Sequence, residues 1–151
     1  MEDKNSVLLF EYLRSILYDS EINRLDIDQL DEPFQKLGKG MEYLQGAGEE
    51  MLRYSADLSC GNLSGPYPSR ENFLCVNLKN LHANMNHLTW QAKQVAAGDY
   101  SQHASYLGEF SEAFNTMIEQ LRERENLLMK KAEMAENYNR LLIELTHSHQ
   151  E

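Results

Sequence analysis

The sequence is poor in cysteine, proline and tryptophan. Among 151 residues it has two cysteines, three prolines and one tryptophan. Cys60 and Cys75 form no CxxC pair and have no histidine at metal-ligand spacing, so neither a disulfide framework nor a zinc site is expected. We expect two reduced, half-buried thiols. A regulatory thiol stays an alternative, although nothing basic adjoins either cysteine to lower its pKa.

Long apolar runs and basic residues are also scarce. No run approaches the roughly 20 uncharged apolar residues of a membrane-spanning helix, and the first residues lack the basic region and apolar core of a signal peptide. The chain is therefore expected to be cytoplasmic and not inserted in a membrane. Its net charge of -10 repels phosphate, and no basic stripe with interleaved aromatics occurs, so nucleic acid is not an expected partner.

The negative charge is uneven along the chain. Residues 1–50 carry 12 acidic and 5 basic side chains, 51–100 carry 3 and 4, and 101–151 carry 9 and 5. We interpret the acidic first third as a solvated surface. A docking site for a basic partner is the alternative.

Apolar residues recur at helical spacing, which predicts an all-α protein. In residues 7–18 an amphipathic helix places Leu9, Leu13, Ile16 and Leu17 on one face. From Leu25 to Phe34 we expect a short helical turn or loop, broken by Pro33.

Three heptad runs follow, and each is typical of a helix that buries a narrow seam against partner helices. The first two runs stop close to a glycine, which suits a helix C-terminus. The runs are Leu37, Met41, Leu44, Gly48, Met51, Ser55 and Leu58; Leu78, Leu81, Met85, Leu88, Ala92 and Val95; and Phe110, Phe114, Met117 and Leu121, continued by Leu128, Ala132, Ala135, Tyr138, Leu142 and Leu145.

An internal repeat connects these runs. Gly61-Asn62-Leu63-Ser64 and Gly98-Asp99-Tyr100-Ser101 share one form and lie 37 residues apart. Each is followed by a connector without periodicity and then by a new heptad helix. We define the first unit as the run ending before Gly61, its connector and the next run, and the second unit as the equivalent around Gly98. The two units share the middle helix.

The second unit resembles the HAMP domain. Leu107-Gly108-Glu109-Phe110 matches that family's turn into its second helix, and Phe114, Asn115 and Met117 match the family's Phe-Asn-x-Met. The first unit has Glu71-Asn72 in place of the Leu-Gly turn and Lys79 in place of the asparagine. The wider likeness, over about residues 35–122, is to soluble tandem HAMP regions upstream of bacterial histidine kinase, PAS and diguanylate cyclase domains.

This resemblance implies a homodimer in which each unit forms a parallel four-helix bundle and relays a helix rotation or tilt. Connector length agrees: roughly 9 extended residues after Gly98 span about 30 Å at ~3.3 Å each, and a helix of ~18 residues is about 27 Å long. A connector can therefore return along its helix. We expect Leu81, Leu88, Met117 and Leu121, here called the seam, to face the dimer axis or neighbouring helices.

The expected organisation is a helical leader (1–34), a first HAMP-like unit (35–88), a second unit (78–121) and a coiled-coil output linker (122–151). We expect Gly98 to adopt a positive φ and Tyr100 to pack between the helices, with Leu63 as its counterpart. The expected structural or relay residues are Gly61, Leu63, Leu81, Leu88, Gly98, Tyr100, Leu107, Gly108, Glu109, Phe114, Asn115, Met117 and Leu121.

Candidate chemistry is sparse. His82 and His87 are expected to be solvated or partly packed and not metal ligands, and His103 to be exposed. Trp90 could line a ligand pocket, as could Phe10, Tyr12, Phe34 and Tyr43, but aromatics at helical spacing are normally core. Ser148-His149-Gln150-Glu151 faintly resembles a histidine-kinase phosphoacceptor box, without its Thr-Pro.

The sequence therefore predicts a non-catalytic, homodimeric relay between a sensory input and an output domain, in cis or on a partner signalling protein, with no cofactor and no metal. Two alternatives stay open: a monomeric helical protein-binding or ligand-sensing module, and the regulatory fragment of a diguanylate cyclase or sensor kinase.

Overall fold

The computed structural model describes residues 3–148. The all-α prediction is confirmed: 75% of the described residues are helical, and none of them forms a strand. The helices are α1 (Lys4–Tyr18), α2 (Glu32–Ser59), α3 (Val76–Ala96) and α4 (Glu109–Ser148), with 3-10 turns at Ile27–Gln29 and Phe73–Cys75.

The described residues form two compact bodies that divide between His82 and Ala83, inside α3. The N-terminal body has one buried cluster between α1, α2 and the segment joining them, and a second between α2, its following connector and α3. The C-terminal body has one cluster, formed by Val95, Ala104, Phe114 and Ile118.

Helix α1 begins at an acidic cap and packs by one face only. Asp3 accepts a hydrogen bond from the backbone N–H of Ser6 at 3.1 Å, which satisfies one of the free donors of the first turn. Leu9 and Tyr12 are buried, but Phe10 is 62% exposed. The prediction that the aromatic residues of this region are core is therefore wrong for Phe10. It is also wrong for Tyr43, which is half exposed.

Helix α2 begins earlier than the sequence predicts, because Pro33 starts this helix instead of breaking a turn. Proline is tolerated in the first helical turn, where its missing N–H would have no intrahelical acceptor. Asp31 is the N-cap residue, and its backbone N–H donates to Oδ1 of Asn5 at 2.8 Å. The predicted break at Pro33 is therefore wrong, because a proline in the first turn of a helix loses no intrahelical hydrogen bond.

Helix α4 is 40 residues long, and only its first third packs on the C-terminal body. Ser111, Phe114 and Ile118 are buried, whereas every described residue from Arg122 onward is exposed. The exposed part carries many large apolar side chains, among them Leu127, Leu128, Met129, Met134, Tyr138, Leu141, Leu142 and Ile143.

Gly38 provides a test of the N-terminal core. A Cβ there would stand 2.8 Å from the Cδ1 atoms of Ile27 and Leu30, whereas nothing lies within 4 Å of a Cβ at Gly46. We expect Gly38→Val to lower the free energy of unfolding by about 1–3 kcal/mol through overpacking. Gly46→Ala should raise the free energy of unfolding by about 0.5–1 kcal/mol, because alanine has the higher helix propensity. Urea unfolding measures both, and equal effects would contradict the close packing at Gly38.

Candidate functional site

The two predicted units end their first helices in the same way. The N–H of Gly61 donates to the Leu58 carbonyl at 3.0 Å, and that of Gly98 donates to Val95 at 3.0 Å. Each following residue then reaches back to a carbonyl five positions earlier, at 2.9 Å in the first unit and 3.0 Å in the second. Gly61 has φ 73° and Gly98 has φ 94°, a region in which a Cβ is strained. The positive φ expected at Gly98 is confirmed.

The side chain of the residue after each glycine closes a turn by accepting a hydrogen bond from the backbone N–H two residues further on. Oδ1 of Asn62 accepts from the N–H of Ser64 at 3.2 Å, and Oδ1 of Asp99 accepts from the N–H of Ser101 at 3.0 Å. Asp99 also accepts from the Ser101 hydroxyl and from the amide of Gln102. These hydrogen bonds hold the pKa of the Asp99 carboxyl below its ordinary value, the Ser101 hydroxyl contributing most.

The first connector returns along α2. Next to the turn, Leu63 packs against Tyr54 and Leu58 of α2. Nearer the start of α2, the amide of Asn72 donates to the Ala47 carbonyl at 2.9 Å. Because higher residue numbers in the connector lie against lower ones in α2, the chain has reversed. Helix α3 then leaves in the direction of α2, so these two helices are parallel.

Glu50 fastens this connector to α2. Its two carboxylate oxygens accept from the amide of Asn72 and from the backbone N–H of Ser69, each at 2.8 Å. These bonds lower the pKa of the Glu50 carboxyl, the side-chain bond from Asn72 most. Lys79, which stands where the second unit has an asparagine, donates to the Ser69 carbonyl at 2.7 Å. Although Lys79 replaces the asparagine of the HAMP pattern, its side chain still binds the connector.

His82 is a core residue of the first unit, which corrects the expectation that it is solvated or partly packed. It is 1% exposed, and its ring stacks on that of Tyr67 with centroids 4.5 Å apart. Since a carbonyl can only accept, Nε2 carries the proton toward Leu63, and Nδ1 accepts from the Tyr54 hydroxyl at 2.7 Å. Burial raises the pKa of that hydroxyl.

The second connector returns along α3 by different side chains. The amide of Gln91 donates to the His103 carbonyl, and the Tyr106 hydroxyl donates to Oε1 of Gln91, both at 2.8 Å. Asn115 of α4 then pairs with Ala104 twice: its Oδ1 accepts from the Ala104 N–H at 2.8 Å, and its amide donates to the Ala104 carbonyl at 2.7 Å. Helices α3 and α4 are therefore parallel as well.

Buried or partly buried positions recur between the units at the spacing of the sequence repeat. In the first helix the spacing is 37 residues, and in the connector and second helix it is 36. The recurring pairs are Tyr54 and Gln91, Leu58 and Val95, Pro68 and Ala104, Cys75 and Ser111, Leu78 and Phe114, and His82 and Ile118.

The connector's apolar residues pack as the sequence predicts. Leu63 contacts the cluster of Tyr54, Leu58 and Cys75, and Tyr100 contacts the cluster around Phe114. Each is half-buried.

Helix α4 starts at the predicted turn. Gly108 has φ 52°, the Leu107 N–H donates to the Ser111 hydroxyl at 3.0 Å, and Glu109 is the first helical residue. The acidic first turn suits the positive end of the helix dipole.

The seam residues divide into two kinds. Leu88 and Leu121 are half-buried and contact the C-terminal cluster. Leu81 is 39% exposed and Met117 46% exposed, so each presents an apolar surface that no described residue covers.

Several expectations about individual side chains were wrong. Trp90 is 52% exposed and stacks on the exposed ring of His87, so it is not core. Cys75 is fully buried and Cys60 exposed, where both were expected to be half-buried. Burial raises the pKa of the Cys75 thiol, which disfavours a reactive thiolate. The faint resemblance to a phosphoacceptor box depends on His149, which lies outside the described residues.

Of the polar residues that hold the connectors, Asn115 was predicted as a structural residue. Tyr54, Gln91 and Ser111 were not singled out, because periodicity was read from apolar residues alone. Comparing the two units position by position would have paired Tyr54 with Gln91.

Comparison with known proteins finds no matching family model, no matching curated protein and no matching solved structure. Among the described residues, no helix combines the length and apolar character needed to cross a membrane. Residues 3–148 also contain no group of three or more His, Cys, Asp or Glu side chains placed to hold a metal ion.

Asp99 predicts a pH dependence. A folded-state pKa below the ordinary 3.8 means that the carboxylate stabilises the fold above that pH, and that this contribution disappears as the pH falls through the folded-state value. Asp99→Asn keeps the turn, as Asn62 shows, but cannot titrate. We expect the difference in unfolding free energy between parent and Asp99→Asn to be constant from pH 7 to 5 and to shrink toward pH 3.

Glu123→Gln is the matched control, since it also removes one exposed carboxylate of the C-terminal body. A difference between parent and Asp99→Asn that persists unchanged to pH 3 would contradict the role of these hydrogen bonds.

Proposed function

We propose that the chain is a homodimeric, non-catalytic relay module of the HAMP type. It couples a sensory input to an output domain, such as a histidine kinase or diguanylate cyclase, in cis or on a partner protein. The supporting observation is the twofold occurrence of one parallel helix–connector–helix unit, each with an uncovered apolar face on its second helix.

The geometry of one unit explains why a second copy is needed. Each connector lies on one side of its helix pair, as the bonds from His82 to Leu63 and from Asn115 to Ala104 define. The seam residues Leu81 and Met117 are not covered by that connector. Two copies joined through these faces would form a four-helix bundle, and burying each large apolar side chain contributes roughly 1.5–3 kcal/mol.

The exposed part of α4 supports the same partner. In proteins most helical stability comes from packing an amphipathic face and not from helix propensity, and this segment exposes apolar side chains throughout. Leu128, Ala135 and Leu142 lie at heptad spacing, so a second copy can pair with them in a parallel coiled coil. In the proposal this segment carries the signal to the output domain.

The relay itself depends on helix α3. It is one uninterrupted helix from Val76 to Ala96 that gives its start to the first unit and its end to the second. A rotation of α3 imposed by the first connector must therefore change side-chain packing in the second unit. Packed helices tend to occupy discrete arrangements, which gives such a module two states.

The dimer is tested at Met117. We expect Met117→Asp to raise the dimer dissociation constant by at least about tenfold, because the seam would then bury an unpaired charge. Thr116→Asp adds the same charge on the same helix about 100° away, and should leave the constant unchanged. Sedimentation equilibrium over a range of concentrations measures both variants.

A parent protein that stays at 17.5 kDa at every concentration would exclude the dimeric relay and favour the monomeric binding module. Equal effects of the two variants would exclude Met117 from the interface.

The relay is tested by changing the first unit and observing the end of α4. Single cysteines at Ala135, Tyr138 and Leu142, on a background with Cys60 and Cys75 replaced, report which positions meet across the dimer. We expect Gly61→Val, which strains a residue at φ 73°, to redistribute cross-linking among the three positions. Gly61→Asn, which tolerates this conformation better, should change the distribution less.

Circular dichroism and the dimer mass control for loss of structure. If cross-linking keeps the same distribution in a folded, dimeric Gly61→Val variant, the module is a static dimer and not a relay.

A further inference from the structure

Helices α1 and α2 are also parallel, although the sequence predicts only a leader there. Near the start of α1, Asn5 donates to Oδ2 of Asp31 at 2.8 Å and accepts from the Asp31 N–H at 2.8 Å. Further along, the Tyr12 hydroxyl donates to Oε1 of Gln45 at 2.8 Å. Both contacts advance in the same direction along the two helices.

The joining segment, residues 19–31, returns along α1 as the later connectors return along their helices. The N–H of Asn23 donates to the Ser15 hydroxyl near the end of α1, whereas Asp31 lies against Asn5 at its start. Between these points Leu25 and Leu30 are buried against Leu9 and Tyr12.

The α1–α2 pair and the α2–α3 pair carry an equivalent contact between their helices. Tyr12 bonds to Gln45 as Tyr54 bonds to His82, a tyrosine of the first helix meeting a polar residue of the second. In the numbering of the second helix, Gln45 precedes His82 by 37 residues, and Leu44 precedes Leu81 by the same number.

The residue facing the connector is small in all three pairs. Gly38 lies 37 residues before Cys75, which lies 36 before Ser111, and all three are buried. A Cβ at Gly38 would press on Ile27 and Leu30 of the joining segment. A small, buried residue at this position is thus common to the three pairs.

An apolar groove of about 220 Å³ runs between α1 and α2. The exposed leucines that line it are Leu13, Leu17, Leu44 and Leu52. Leu44 occupies the position that Leu81 and Met117 hold in the other pairs, and all three are exposed.

We infer that residues 4–59 are a third relay unit, which shares α2 with the first unit, and that the groove receives the same segment of a second copy of this chain. This inference rests on the proposed homodimer. Leu44 and Met51 lie one heptad apart on the uninterrupted helix α2. A partner helix that covers Leu44 would therefore also run along Met51.

An apolar small molecule or a different protein is the competing occupant, and cross-linking distinguishes them. On the background Cys60→Ser and Cys75→Ser, single cysteines are placed at Leu44, at Met117 and at Lys39. Ser111 stands where the other unit has Cys75, so serine is suited to that buried position. Lys39 is exposed on the opposite face of α2 from Leu44 and is the matched control.

We expect Leu44→Cys and Met117→Cys to form disulfide-linked dimers under mild oxidation roughly tenfold faster than Lys39→Cys, because bridging needs Cα atoms within about 7 Å. Cross-linking at Met117→Cys with only the Lys39→Cys rate at Leu44→Cys would overturn the third unit and leave the relay standing. Control rates at both positions would overturn the dimer and this inference together. Cross-linking at Leu44→Cys alone would support the third unit and contradict the proposed bundle in the second.

Discussion

The return of each connector along the helix that it has just left is the constraint on which the described structure depends. A non-helical segment has no hydrogen-bond ladder of its own, so its backbone groups need side-chain partners when they are covered. Glu50 and His82 supply them in the first unit, and Gln91 and Asn115 in the second. Once the chain has returned, the next helix starts beside the start of the previous one, and parallel helices follow.

This arrangement makes the interior of each unit polar as well as apolar. His82, Asn72, Gln91 and Ser111 are all buried, and no buried side-chain nitrogen or oxygen among the described residues lacks a hydrogen-bond partner. Satisfied polar groups contribute little net stability but favour one arrangement over others. Apolar side chains such as Met117 stay exposed in a single chain, so the stabilisation that their burial would provide is not obtained without a partner.

Much of the helical framework could be predicted, because amphipathic periodicity and glycine ends are local signals. Gly61 and Gly98 follow their helices with a positive φ, a conformation that glycine adopts without strain, so the sequence contains that information. The place of Pro33 was misjudged because a proline that starts a helix and one that breaks it differ only in context. The burial of His82 could not be predicted from apolar spacing, since its partners are a tyrosine and a backbone carbonyl far along the chain. The parallel arrangement of α1 and α2 was not predicted, because no glycine follows α1 to mark a repeat of the same unit.

Helix α2 has connectors packed on two of its sides, one against Gly38 and the other bonded at Ala47. The number of residues between Gly38 and Ala47 therefore sets the angle about the helix axis between the two faces that bind connectors. Adding one residue there would turn the second face by about 100° and remove its connector, whereas adding seven would restore the angle nearly completely. Length variation in this helix should thus be restricted to whole heptads.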